Sequence, residues 1–273
     1  MHEQDRAVTT WVLLRGLTRE SGHWGGFAST LQSAVTAVTA AHAGRRARVI
    51  MLDLPGNGAL NGLRSPASVP GMVAACRSQL RDAGVAGPVH LLAMSLGAMV
   101  AAHWSHVAPD EVAGCVLINT SFRPFSPFYQ RLRPRNYATL LGALLPGQAP
   151  LALERRIWAM TSNHRDMTAA VLPQWAALRQ ERPVSAGNAL RQLVAAATFR
   201  APRTSSAVPM LLLSSACDRL VSARCSDAIA QAWGCAHARH ATAGHDLPLD
   251  APQWVAQQVC EWLAARRGAA PAP

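Results

Sequence analysis

Along this chain, short unbroken apolar runs alternate with longer stretches in which apolar residues return every three or four positions. The runs are Trp11–Gly16, Ala47–Gly56, Pro88–Ser95, Ala113–Ser121, Val208–Asp218 and Cys235–Gly244. Each has strand length and is continuous rather than alternating, so both faces of each strand are expected to be buried. Between them, the periodic stretches predict helices at about Trp24–Ala43, Ser68–Ala83, Leu96–Val107, Ser222–Trp233 and Pro252–Arg266. Strand and helix in turn predict an α/β chain whose mostly parallel, doubly wound sheet is covered by helices on both faces. The alternation stops from Phe122 to about Arg203, where four helical patterns follow one another. The expected organisation is a core made of residues 1–121 and 204–273, with 122–203 inserted as a helical cap. The Pro/Ala tail after Arg267 reads as disordered.

Composition changes this picture little. With 273 residues, half of them apolar, the chain can bury a large core. No apolar run approaches a membrane span, and the polar opening MHEQDRAVTT lacks the apolar core of a secretory signal. The expectation is a soluble, cytoplasmic protein without stable membrane insertion. The net charge of +11 comes from 26 arginines scattered along a chain without lysine. No nucleic-acid-binding motif accompanies them, so no nucleic-acid partner is expected. The overall field still favours anionic substrates. Cys76, Cys115, Cys217, Cys225, Cys235 and Cys260 form no metal-ligand spacing and read as reduced thiols. His90, His103, His106, His164, His237 and His240 form no ligand set either, so neither metal nor cofactor is expected.

The candidate chemistry starts at the third run, HLLAMSLGAMVA. There Ser95 stands between a strand and a helix, with small residues two before it (Ala93) and two after it (Gly97). Small residues at those positions let the backbone turn tightly and push the hydroxyl outward, as in a nucleophile elbow. A plain helix N-cap is the alternative role for the same serine.

A nucleophilic serine needs an acid and a base later in the chain, each at a strand end. Asp218 follows the strongest apolar run, in LLLSSACDRLVS, and His245 follows the last run, in TAGHDLPLD. In a parallel sheet, strand ends far apart in sequence meet at one edge. There a neutral imidazole can take the serine proton while a carboxylate fixes its tautomer. Oxyanion donors are expected at the N–H of Leu96, which opens a helix, and at Leu17 in the loop LLRGLTRESGHW. GNG at Gly56–Gly58 lacks the continuation of a phosphate loop.

These stretches, together with VIMLDLPGNG, resemble the α/β-hydrolase superfamily over nearly the whole chain. Within it, lidded carboxylesterases such as those of the pimeloyl-carrier-protein methyl ester esterase type are most similar. The resemblance implies an eight-stranded type of sheet, here without its first strands, and a helical cap. It also implies Ser95 as nucleophile, Asp218 as acid, His245 as base, and Leu17 with Leu96 as oxyanion donors. Two positions depart from the pattern. Ala93 replaces the first elbow glycine, and Arg15 stands where the family usually has histidine. Arg15 is expected either to pair with Glu20 or Asp53, or to hold a substrate carboxylate or polarise the oxyanion loop.

The expected activity is serine ester hydrolysis through an acyl-enzyme, on small-molecule esters of small, largely apolar acyl groups. Acyl transfer, lactone opening and thioester cleavage use the same machinery, and a non-catalytic ligand-binding protein can share the fold. Halide displacement is disfavoured because the elbow carries serine, and a lysine-assisted lyase is excluded. Substrate contacts are expected from Arg15, Trp24, Phe122, Phe125 and Phe128. His23 and Phe27 lie near the same site, where Ser21 is expected to cap the first helix. Asp246 and Asp250 are weaker candidates for the acid than Asp218, and Asp53 reads as a structural loop residue.

Overall fold

The computed structural model describes residues 8–43, 46–145 and 147–268. The polar opening and the tail, whose expected character was given above, lie largely outside that range. Six strands form one parallel sheet: β1 (Val8–Leu14), β2 (Arg46–Leu52), β3 (Val89–Met94), β4 (Val112–Ile118), β5 (Met210–Ser215) and β6 (Ala236–His240), in the order β2-β1-β3-β4-β5-β6. All six apolar runs therefore become strands, each somewhat shorter than its run because the run continues into the loop that follows.

The central strands are apolar throughout because successive side chains feed two different cores. Val12 and Leu14 of β1, Leu91 and Ala93 of β3, and Cys115 and Leu117 of β4 face one core. Trp11 and Leu13, Leu92 and Met94, and Val116 and Ile118 face the other. The first core is closed by α2 (Val69–Asp82), α3 (Leu96–Val107) and, after β5, α9 (numbered below), through residues such as Met72, Val100 and Ile229. The second is closed by α1 (Phe27–Ala43) and the C-terminal Pro252–Gly268 helix, through Leu31, Val35, Val255 and Val259. The edge strand β6 carries His237, Arg239 and His240, polar residues that suit an edge.

Between β4 and β5 the chain runs through α4 (Phe128–Arg131), α5 (Tyr137–Gly142), α6 (Pro150–Thr161), α7 (Thr168–Glu181) and α8 (Ala186–Thr198). This is the strandless stretch of the sequence, with five helices where four patterns were read. Ser185 caps α8 by accepting from the Asn188 amide at 3.1 Å. After β5 come α9 (Arg224–Trp233), α10 (Leu247–Asp250) and α11 (Pro252–Gly268). Gly234 ends α9 in the left-handed region.

The strand order fixes where a ligand can sit. From β1 the chain crosses to β2 on one side, and β3 lies on the other side of β1. The crevice at the carboxyl ends of β1 and β3 is thus the topological switch point. The loop Arg15–Glu20 leaves β1 there, and Ser95 ends β3. None of the described helices is long and apolar enough to cross a membrane.

Candidate active site

Ser95 has φ 54° and ψ −118°, and its side chain makes no capping bond to α3. The N-cap role therefore fails, since an N-cap serine is extended and accepts from the first turn. The left-handed backbone is held from both sides. Ser95 N–H donates to Ile118 O at 2.9 Å, and Thr120 Oγ1 donates to Ser95 O at 3.0 Å. The two small neighbours have distinct reasons. Ala93 is fully buried in the sheet. At Gly97, a Cβ would lie 2.5 Å from the carbonyl oxygens of Leu14 and Arg15, so α3 can approach the end of β1 only without a side chain there. Gly16 is constrained less severely, because its Cβ would sit 3.1 Å from Ser95 Cβ. The loop carrying Leu17 is thereby pressed against Ser95.

His245 and Asp218 come together as expected. His245 Nδ1 lies 2.8 Å from Asp218 Oδ2, and both side chains are almost wholly buried. Asp218 Oδ1 accepts from the amides of Leu220 at 2.7 Å and Val221 at 2.9 Å, which fixes the carboxylate after β5. Ser95 and His245 line one small cavity of about 70 Å³, together with Gly16, Leu17 and Thr18. Among the described residues no hydrogen bond joins Ser95 Oγ to the imidazole; such contacts are often long in unliganded proteins and tighten around substrate. Leu96 opens α3, where the first amides have no intrahelical acceptor. The arrangement can take a proton from a hydroxyl and meet a developing oxyanion with backbone N–H groups.

Arg15 forms a structural ion pair, but not with Glu20 or Asp53. Its Nη1 and Nη2 donate to Asp246 Oδ1 at 3.0 Å and Oδ2 at 2.6 Å, in a buried two-pronged pair. The partner is Asp246 because the turn after β6 folds over the end of β1; Glu20 and Asp53 face elsewhere. Glu20 pairs with Arg182, and Asp53 accepts from the amides of Ser21 and Ala59. Its Nη1–Nη2 fork is taken by Asp246, while Arg15 still borders the Ser95 cavity. Ser21 is not a helix cap either: it is the first residue of the short turn Ser21–Trp24, whose N-cap is Glu20, and α1 starts only at Phe27.

The aromatic contacts also fall elsewhere. Phe122 is buried against Phe199 and Trp233, and Phe125 packs edge-on against Trp233. Phe128 is exposed and meets Tyr129. Trp24 is buried beneath the Arg15 guanidinium, 4.8 Å from its ring centroid. None of the four lines the Ser95 cavity or the cleft beside it. Phe122 and Phe125 fasten the inserted segment to the core, and Trp24 does the same for the loop. The cleft of about 720 Å³ is instead aliphatic, lined by residues such as Leu144, Leu153, Leu193 and Val184. It shares Leu17, Thr18, Leu140 and Ile157 with the Ser95 cavity.

One residue of the site, Asn119, escaped the sequence reading, and Asp250, weighed there as an alternative acid, has a different role. Asn119 has φ 44°; its Nδ2 donates to His245 O at 2.8 Å and its Oδ1 accepts from Ser215 N at 2.8 Å. It ties the His245 turn to the ends of β4 and β5. Asp250 accepts from Gly244 N, Asn163 N and Ser162 Oγ at 2.6–2.8 Å, which joins that turn to the end of α6. Among the described residues, Thr18, Ser95 and Asn119 are the non-glycine residues with positive φ, and all three are at this site. Strained backbone concentrated in this way is a mark of functional sites.

A family model described as "Alpha/beta hydrolase family" matches residues 11–258. The chain belongs to the alpha/beta hydrolase family. Hydrolysis is the class of chemistry that this membership supports. Among curated proteins, none matches the sequence significantly. Solved structures share the fold at low identity. A thermophilic esterase from Thermogutta terrifontis is 19% identical, with TM-score 0.70, over 94% of this chain and 90% of that one. An enol-lactonase from Burkholderia xenovorans is 16% identical, with TM-score 0.73, over 94% and 92%. A hydrolase from Pseudomonas aeruginosa is 18% identical, with TM-score 0.70, over 93% and 89%.

Proposed function

We propose that this alpha/beta hydrolase cleaves carboxylic esters of largely apolar acyl groups through an acyl-enzyme on Ser95. The observation that carries the reading is the buried 2.8 Å contact between His245 Nδ1 and Asp218, facing the same cavity as a strained Ser95. Asp218 is acceptor-only when ionised, so it selects the tautomer with the proton on Nδ1 and leaves Nε2 free to accept. His245 takes the Ser95 proton as Oγ attacks the carbonyl carbon. The tetrahedral oxyanion is met by the amides of Leu17 and Leu96, and His245 returns the proton to the departing alkoxide. Water then repeats the sequence on the acyl-enzyme and regenerates Ser95. The inserted helices act as a cap whose aliphatic side chains receive the acyl chain, and the cleft has room for more than the smallest acyl groups. Six free cysteines suit a reducing compartment, which supports a cytoplasmic location.

An active-site phosphonate probe and a panel of esters of increasing acyl length test this reading. The probe is expected to label wild type on Ser95, and Ser95→Ala is expected to lose about 10⁴-fold or more in turnover. Labelling on another residue, or turnover that survives in Ser95→Ala, refutes it.

A further inference from the structure

The Glu154 cluster in the wall between the Ser95 cavity and the larger cleft carries more positive than negative charge. Glu154 of α6 is fully buried, and it accepts from Arg19 Nη1 at 2.7 Å and from Arg179 Nε at 2.5 Å. One carboxylate serves two guanidiniums. His23 offers no compensation. Glu20 N–H donates to its Nδ1 at 3.2 Å and Arg19 Nη1 lies 2.8 Å from its Nε2, so neither neighbour offers the acceptor that a charged imidazole needs. Burial, then the charges of Arg19, Arg15 and Arg179, push the imidazole well below its ordinary pKa and keep it neutral. Around this cluster Arg15 pairs with Asp246, Arg182 meets both Glu20 and Glu181, and Asp53 is engaged by backbone amides.

The surplus faces the cavities. Arg19 lines the Ser95 cavity, with its Nη2 buried and without a hydrogen-bond partner, and its guanidinium lies 4.2 Å from the Trp175 ring centroid. Arg179 lines the 720 Å³ cleft. Glu154 takes its Nε, and among the described residues no hydrogen bond engages its Nη groups. Two cations sharing one counter-charge in a buried wall are incompletely neutralised, and an anion arriving beside them completes the balance. The remaining Nη edge of Arg179 is a planar two-donor fork, which matches a carboxylate.

We infer that Arg179, backed by Arg19, forms an anion subsite in the larger cleft, and that the preferred esters carry a carboxylate on the acyl chain remote from the scissile bond. This rests on the esterase reading above. Leu140 and Ile157 border both cavities and would flank the methylenes between the two ends. The carboxylate lies beyond the Ser95 cavity because Arg179 borders the cleft and not that cavity.

Matched pairs of aryl esters, one with an ω-carboxylate and one with an ω-methyl, test the inference over a range of chain lengths, with an ω-phosphate arm beside them. Wild type is expected to favour the carboxylate by about tenfold or more in kcat/KM at the best length. Arg179→Lys is expected to keep part of that ratio and Arg179→Gln to bring it to about one. A wild-type ratio of one or less at every length overturns the inference, even while Ser95-dependent turnover of the neutral esters upholds the esterase reading. A ratio that favours phosphate over carboxylate also overturns it. Calorimetric titration of Ser95→Ala with a linear dicarboxylate and with its neutral diamide decides the matter without turnover, and without reliance on the folding of Arg179→Gln. Binding of the dicarboxylate alone supports the subsite, and equal or absent binding of both overturns it.

Discussion

The Arg15–Asp246 pair makes a quantitative prediction about what holds the site in place. Both side chains are only 2–3% exposed, and the two hydrogen bonds at 3.0 and 2.6 Å satisfy both carboxylate oxygens. Arg15→Met removes the cation, its hydrogen bonds and the contact with Trp24, and leaves Asp246 buried beside His245. Breaking one side of such a pair costs about 3–5 kcal/mol, most of it from the charge left behind. For a domain of this size each kcal/mol is worth roughly 2–4 °C, so Tm is expected to fall by on the order of 10 °C. Arg15→Met/Asp246→Leu removes both charges and fills part of the space with apolar atoms. It is expected to recover most of the loss, because two well-packed hydrophobes often replace a buried pair at little net cost. Urea unfolding of wild type, both single variants and the double variant closes the cycle, with an expected coupling of about 4 kcal/mol or more. If Arg15→Met loses less than about 1 kcal/mol, or if the two single losses simply add, the pair is not the buried, mutually dependent unit described here.

Asp218→Asn presents an amide donor to Nδ1 and favours the wrong tautomer, so kcat is expected to fall about 10⁴-fold, checked with the best ester; near-wild-type turnover would place the acid elsewhere. Gly97→Ala puts a Cβ against two backbone carbonyls that cannot swing aside, with an expected loss of roughly 3 kcal/mol or more and of probe labelling, whereas Gly187→Ala in the exposed turn of α8 is expected to gain about 0.5–1 kcal/mol. The depressed pKa of His23 means that the unfolded chain binds a proton that the folded one refuses. Stability is therefore full above about pH 6.5 and lost as pH falls below it. Urea titrations at pH 7.5 and 5.5 are expected to show wild type losing roughly 1 kcal/mol more than His23→Gln across that interval, and equal losses would refute a neutral His23.

The sequence by itself determined the strands, the helical insertion and the residues expected to do chemistry. Those features are local or follow from chain order. Unbroken apolar runs mean strands buried on both faces, and a parallel sheet gathers strand ends at one edge, so Ser95, Asp218 and His245 could be named before any coordinates. Pairing across the fold was not readable in this way. The partner of Arg15 lies 231 positions away, and Glu20 and Asp53 are nearer in the chain but face elsewhere. Asn119 acts mainly through bonds to backbone groups, which leave no mark on residue type, and the same bonds give Asp250 a role other than the acid it could be in sequence. The aromatics of the insertion suggested a pocket lining because apolar residues that pack a core and apolar residues that line a cavity look alike in sequence. Only the tertiary structure decided that Phe122 and Phe125 go to the core, that aliphatic side chains line the cleft, and that Arg19 and Arg179 share a single carboxylate. The physical reason is the same in each case: charge balance and burial are properties of the space around a side chain, and that space is assembled from segments far apart in the chain.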